Sequence, residues 1–310
     1  MKIKNSIWLF LIISIAIFTI LLLIGDVNSI KSNIQQFNWF YVLFAIGFFL
    51  LAIGIRVLRW HFWFHKIGPA VSFKSSMLFY MSGFAFTITP GRVGEAIRSY
   101  FIKRDYGVTQ SKTVPLVLVE RFYDLTGLII ITAFALIFVD FNKYILIIPI
   151  SFLVGFFVIT QNKNFIRRIL SKISTIKFLS KFAPNAEESS DVLSQMLNFR
   201  NFTPSSLLGA LIAILDVMGA FMILHGLHVE INFAKFILVI SVSIVGGSLS
   251  FIPGGIGIQE SGILGLLTLY KIQYSQALIF AILYRVTYTA LFTIVGLVSL
   301  RKISGKINKT

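Results

Sequence analysis

The chain has 310 residues, of which 56% are hydrophobic and only 13% charged, with a mean hydropathy of +0.86. A water-soluble domain carries about 25% charged residues, so the deficit excludes an ordinary soluble globular protein and puts the bulk of the chain in a bilayer. The formal charge of +16 then marks loops facing anionic lipid rather than nucleic-acid binding, and the lack of cysteine excludes disulfides and thiolate metal sites.

Lys2 and Lys4 precede an apolar run over 7–24. No small-x-small cleavage site follows it, so it is expected to be a retained first span rather than a signal peptide. Further stretches near the length of about 20 apolar residues that a span needs are 39–60, 113–139, 144–160, 205–227 and 276–299. Two other apolar regions are interrupted. Residues 74–104 break at Pro90-Gly91-Arg92-Val93-Gly94, and residues 234–270 break at Pro253-Gly254-Gly255-Ile256-Gly257. Pro and Gly end helices, and a broken helix survives at membrane depth only where protein or a water-filled cavity surrounds it. Both regions are therefore expected to be re-entrant hairpins. The predicted fold is an all-α polytopic membrane protein of about six full spans plus two hairpins, or eight or so hydrophobic segments.

Lys and Arg orient it. They crowd between the second and third spans (Arg56 to Lys112), after the fourth (Lys163 to Lys181) and at the end (Arg301 to Lys309), whereas the opposite loops hold only Lys31, Lys143, Lys235 and Lys271. Both termini are thus expected on the cytoplasmic side of the cell membrane. In the linker 163–202, Phe165, Ile166, Ile169, Leu170, Ile173, Ile176, Leu179 and Phe182 recur at helical spacing with basic residues opposite. Such a helix can lie on the inner leaflet or pack on the bundle's own cytoplasmic face. Glu187, Glu188 and Asp191 suit the start of another helix, and Thr203-Pro204 is expected to open the fifth span.

The two broken regions align at an offset of 163, drifting to 164: Phe73 on Phe236, Gly83 on Gly246, Pro90 on Pro253, Gly91 on Gly254, Gly94 on Gly257, Ser111 on Ser275 and Arg121 on Arg285. The alignment also lays span, hairpin and span over their counterparts, giving a first repeat at about 39–139 and a second at about 205–299 within one membrane domain. If the copies are inverted, the second should lack the basic residues of the first. Arg92 and Arg56 indeed fall on Gly255 and Gly219, and Lys103 and Arg104 fall on apolar positions. Accidental resemblance between apolar segments is the alternative. Inverted repeats with broken helices near the midplane point to a transporter site, because a helix starting at such a break presents unpaired N–H groups to an anion.

Charges at membrane depth cost at least about 2.5–3.5 kcal/mol each at a helix centre, so each needs a partner or a role. The expected substrate-binding set is Arg92, Arg98, Arg121 and Arg285 on a lipid phosphate, with Glu95, Glu120, Asp124, Asp216 and Glu260 positioning them. The alternative is internal ion pairing that fixes helix register. Arg56 and Arg59 are expected to snorkel to the interface. His61 and His65 have i, i+4 spacing but sit in Trp60-His61-Phe62-Trp63-Phe64-His65, which reads as an aromatic belt, so no metal is expected. Neither a phosphate-binding loop nor a nucleophile elbow is present, and no catalytic residue or cofactor is expected.

The ordered trio of Pro90-Gly91-Arg92-Val93-Gly94-Glu95-Ala96-Ile97-Arg98, then Glu120-Arg121-Phe122-Tyr123-Asp124, then Pro253-Gly254-Gly255-Ile256-Gly257 with Glu260, resembles the lysylphosphatidylglycerol synthase transmembrane-region family over nearly the whole chain. That family includes the flippase domain of the multiple peptide resistance factor. The resemblance implies a flippase-like translocator of an anionic, aminoacylated or glycosylated lipid, acting as a free-standing member without the synthase domain and alongside a separate synthase or transferase. Two alternatives stand beside it: a lipid-modifying transferase of the phosphatidylglycerol lysyltransferase type or its membrane subunit, and a non-transporting lipid-binding scaffold. A transporter rather than an enzyme is expected, with membrane lipid as partner and no nucleic acid.

Overall fold

The computed structural model of the chain describes residues 26–87, 89, 94–139, 144, 147–174, 185–250 and 252–304, and among them there are helices and turns but no strand. The expected first span at 7–24, the residues Pro90, Gly91 and Arg92, and the apolar positions Ile176, Leu179 and Phe182 lie outside the described residues.

Twelve helices follow in chain order among these residues: α1 Val27–Gln36, α2 Phe40–Ile67, α3 Phe73–Ser82, α4 Ile97–Tyr106, α5 Gln110–Ala135, α6 Ile147–Gln161, α7 Lys163–Ser174, α8 Ala186–Met196, α9 Phe199–His225, α10 Phe233–Leu249, α11 Ile258–Leu269 and α12 Tyr274–Ser304. Three of them, α2, α9 and α12, are long and apolar enough to cross a membrane. At 1.5 Å per residue each exceeds the hydrocarbon thickness of about 30 Å. The chain is an all-α membrane protein. The 113–139 stretch holds the helix α5, which carries Lys112, Glu120, Arg121 and Asp124, and the 144–160 stretch holds the 15-residue α6.

Residue chemistry sets most helix ends. Asp26 caps α1 through the N–H groups of Asn28 and Ser29, Ser72 caps α3 through Ser75, and Asn185 caps α8 through Glu187 and Glu188, which lie at its favourable positive end. Gly107, at φ 69°, closes α4 in the left-handed conformation that glycine adopts without steric cost. The start of α9 differs from expectation. It begins at Phe199, because the Asn198 side chain accepts the Asn201 N–H at 2.9 Å and nucleates a turn upstream, leaving Pro204 inside the helix. A proline this early removes a single ladder bond.

Two compact units divide the chain. One holds Leu51–Thr87, Gly94–Ile214 and the residues from Thr293 onward. Its centre is α5, which meets α9 at a glycine pair: a Cβ on Gly127 would fall inside the backbone of Gly209, and one on Gly209 against the Tyr123 carbonyl. Backbones approach this closely only without side chains between them. Against α5 packs α8, tied by the Tyr123 hydroxyl donating to the Met196 carbonyl at 3.0 Å and the Ser189 hydroxyl to the Ser111 carbonyl at 3.0 Å. Helix α7 in turn packs on α8 with Ile166 and Leu170 buried. After α3 the chain makes a 3-10 turn over Gly83–Phe86, and resumes in a further single turn at residues 94–96 before α4. Gly83 lets the Glu95 backbone come close, since a Cβ there would lie 3.1 Å from the Glu95 carbonyl oxygen.

The other unit holds the described residues up to Leu50, Thr89 and Leu215–Phe292. Here α10 and α11 form a tight hairpin around the 3-10 turn Pro253–Gly255, in which Gly254, Gly255 and then Gly257 have φ of 61°, 65° and 85°. Small residues line the hairpin's seam: Gly255 faces Gly247 and Gly262 faces Ser243. Aromatic rings fill the remainder, with Phe236 edge-on to Phe280 at 5.5 Å and Phe49 edge-on to Tyr288 at 5.2 Å. The order long helix, broken pair, helix thus occurs twice, as α2, α3–α4, α5 and as α9, α10–α11, α12.

Candidate functional site

The first charged cluster is assembled from four helices of the first unit. Glu120 of α5 is its hub: its carboxylate accepts from the Tyr80 hydroxyl of α3 and from an Arg98 Nη2 of α4. Arg121 bridges the other acids, with Nη2 3.0 Å from Glu95 Oε2 and Nη1 3.3 Å from Asp124 Oδ2. From α2, Arg59 reaches Asp124 Oδ1 at 2.5 Å and lies 4.0 Å from Glu120. Arg98 also lies flat on two rings, its guanidinium 4.2 Å from the Trp60 centroid and 4.8 Å from that of Tyr80, and Arg59 lies 5.1 Å from Trp63.

The cluster is almost entirely removed from solvent. Glu95, Arg98 and Glu120 are buried, whereas the Arg121 and Asp124 side chains keep 21% and 18% exposure and form its open side. Each of these charges faces an opposite one, which makes their burial tolerable. The hydrogen-bond count does not close, however. Arg59 Nε and Nη1, Arg98 Nε and Nη1, and Arg121 Nε are buried and donate to no acceptor among the described residues. Buried donors of this kind are normally matched by an acceptor, and a phosphate supplies several oxygens in the planar geometry guanidinium favours.

A second, smaller cluster stands at the hairpin turn of the other unit. Arg285 of α12 donates to the Gly254 carbonyl at 2.5 Å and to the Gln259 side chain at 3.1 Å, and its Nη1 lies 3.3 Å from Glu260 Oε1. Glu260 reaches back from the first turn of α11 to accept the Gly257 N–H at 2.7 Å. The positive φ of Gly254, Gly255 and Gly257 makes this turn possible, and the break leaves the Gly254 carbonyl without a helical partner. Arg285 satisfies it.

The structure therefore gathers Glu95, Arg98, Glu120, Arg121 and Asp124 in one cluster, and Glu260, Arg285, Gly254 and Gly257 in the other. Asp216 is half-buried on α9 in the unit that holds the second cluster. Each unit contains the same clamp, an arginine of the helix after the broken pair holding a carboxylate just after the break. One expectation is corrected: Arg56 and Arg59 do not snorkel outward but are 5% and 2% exposed. They continue the buried stripe of α2 that runs through Phe49, Ala52 and Ile53, and Arg59 finds two acids waiting there. That same spacing of three and four was the signal available for Arg59, Trp60 and Trp63. Tyr80 carried no such signal, since a tyrosine in an apolar run reads equally well as interface anchor or core. Among the described residues no three His, Asp or Glu side chains gather as a metal site.

Residues 11–296 match the family described as lysylphosphatidylglycerol synthase TM region. The chain is similar to a UPF0104 membrane protein of Methanocaldococcus jannaschii, at 24% identity over 99% of this chain and 98% of the relative. It is also similar to UPF0104 membrane proteins of Pyrococcus horikoshii, at 22% identity covering 82% of this chain and 84% of the relative, and of Methanothermobacter thermautotrophicus, at 23% covering 85% and 83%.

Proposed function

The chain belongs to the lysylphosphatidylglycerol synthase TM region family, and on that premise we propose that this multi-pass membrane protein moves a lipid with an anionic, aminoacylated or glycosylated headgroup between leaflets. The observation that carries the proposal is the set of buried guanidinium donors on Arg59, Arg98 and Arg121 beside a broken helix, braced by Glu95, Glu120 and Asp124. Arginines held in place by acids cost little to keep in lipid and still offer N–H groups to a passing phosphate. Arg121 and Asp124, on the open side, are the first to meet the headgroup.

In this reading the two broken-helix regions are inverted copies, and translocation exposes the headgroup site alternately to the two leaflets. The recurring arginine–carboxylate clamp and the loss of basic residues from the second copy support the inversion. The protein sits in the cell membrane with both termini cytoplasmic, as the Lys and Arg distribution favours.

The test is reconstitution of the purified chain into liposomes carrying headgroup-labelled phosphatidylglycerol, its lysyl ester or a lipid-linked sugar, with leaflet distribution read by an impermeant quencher. Label should redistribute with at least one lipid, faster than in protein-free vesicles, and Arg121→Ala should abolish the excess rate. No redistribution with any lipid, together with product formed from a supplied donor, would replace the translocator with a transferase.

A further inference from the structure

Against the guanidiniums of the first cluster lies an aromatic layer that is as deeply buried and holds a donor of its own. Trp60 of α2 is 1% exposed. Three neighbours hold its ring. Phe64 runs nearly parallel to it, 10° between planes and 5.8 Å between centroids, Tyr80 leans on it at 5.8 Å, and the Arg98 Cζ lies 4.2 Å from its centroid. These contacts fix the plane of the indole and with it the direction of its N–H. Yet that Nε1 donates to no acceptor among the described residues. A buried donor left unmatched is costly and calls for an explanation. The contact with Arg98 supplies none, because it uses the face of the indole and leaves the N–H at its edge idle.

Building on the headgroup role of this cluster, we propose that Trp60 Nε1 and the unmatched Nε and Nη1 of Arg98 together receive the phosphate, so that the phosphate occupies the closed end of the site. The three atoms belong to groups stacked 4.2 Å apart. A tetrahedral phosphate, with several oxygens, can accept from both layers at once. All three atoms are donors and none accepts. The one carboxylate at this depth, that of Glu120, already accepts from Tyr80 and Arg98. An oxyanion therefore fits here, and an ammonium group does not. Burial sets the order of the headgroup: Trp60 and Arg98 are sealed, whereas Arg121 and Asp124 keep 21% and 18% exposure. The ester arms of the phosphate, with any aminoacyl or sugar substituent, then remain on the open side. Trp60 thus makes the closed end demand a phosphate and ignore what the phosphate carries.

The chain has four tryptophans, so its indole N–H signals are few, and Trp60→Phe identifies the one in question. Full-length protein labelled with nitrogen-15 in detergent would be titrated with dihexanoyl phosphatidylglycerol, its ethanolamine counterpart, inorganic phosphate, and dihexanoylglycerol, which lacks the phosphate. Both phospholipids should move the Trp60 indole proton downfield, saturably and alike. Inorganic phosphate should do so only at higher concentration, and dihexanoylglycerol not at all. Trp60→Phe should unfold as the parent does yet bind phosphatidylglycerol about tenfold more weakly, the loss expected for one hydrogen bond to a charged group. An unmoved signal at saturating phospholipid, or undiminished binding by Trp60→Phe, would overturn the proposal and leave the indole with packing or a water only. A response to dihexanoylglycerol, or to only one of the two phospholipids, would also refute it. So would inorganic phosphate as effective as the lipids, which would mark a site for a free anion. Phospholipid binding that Arg121→Ala weakens, with the Trp60 signal unmoved, would sink this inference alone; no binding of any lipid would sink the headgroup role with it.

Discussion

Glu120 and Arg98 form the most deeply buried ion pair among the described residues, and the two partners should respond unequally to removal. Arg98 is fully buried and has one carboxylate partner among the described residues. Glu120→Leu would leave that guanidinium stranded, a change that costs about 3–5 kcal/mol. Arg98→Leu leaves a better-provided residue behind. Glu120 keeps the Tyr80 hydroxyl and stays 3.9 Å from Arg121 and 4.0 Å from Arg59, so the loss should be one charge-assisted hydrogen bond, about 1.5–3 kcal/mol. The double variant replaces the pair by apolar groups and should recover most of the Glu120→Leu loss, since buried ion pairs are often no better than well-packed apolar side chains. A double-mutant cycle on purified protein in detergent, followed by unfolding in increasing denaturing detergent, measures all three. Equal costs for the two single variants, or a double variant as unstable as Glu120→Leu, would refute the claim that Glu120 is the hub and Arg98 its dependent.

Three further outcomes follow from backbone and clamp geometry. Gly127→Ala should destabilise by about 3 kcal/mol, the upper end of overpacking costs, because its Cβ would enter the Gly209 backbone; Gly47→Ala, with open space around the added carbon, should be within about 0.5 kcal/mol of the parent in the same unfolding assay. Gly254→Ala should cost about 1–2 kcal/mol through its left-handed conformation, with Gly254→Asn recovering part of the loss. Arg285→Lys should lose about 1–3 kcal/mol, since one ammonium cannot reach the Gly254 carbonyl, Gln259 and Glu260 with the geometry of a planar fork. Limited proteolysis at the Pro253–Gly257 turn would register that variant independently.

Hydropathy and helix-breaking residues made most of the architecture legible. Helices α2, α9 and α12 announce themselves as uninterrupted apolar runs, and the glycines after Pro253 mark the α10–α11 turn. Side-chain direction was harder to read. Arg59 looked like an interfacial snorkel because it lies near the basic end of α2, yet it shares the buried stripe of Phe49 and Ile53 and turns inward to Asp124. Only knowing that α5 supplies acids at that level decides the matter, and that is tertiary information. Tyr80 was invisible for the same reason: its value lies in what α4 and α5 bring to it. Helix α1 was missed because local capping by Asp26 and a hydrogen bond from Asn33 to Ser275, 3.1 Å, support it in place of hydrophobic periodicity.

The two clamps explain why arginine sits so deep in both units. Breaking a helix within a membrane frees carbonyl and N–H groups that lipid cannot satisfy. Arg285 meets one of these, the Gly254 carbonyl, and Glu260 meets another, the Gly257 N–H, while the pair cancels its own charge. One arginine and one carboxylate therefore suffice to stabilise a break at no net charge. The cluster around Glu120 goes further. Its arginine–carboxylate clamp, Arg121 with Glu95, is joined by Arg59, Arg98, Glu120 and Asp124, and the added arginines hold donors that no acceptor among the described residues uses. Stabilising a helix break would not call for those donors. Binding an anion would, and on that excess the proposal that this cluster receives the headgroup rests.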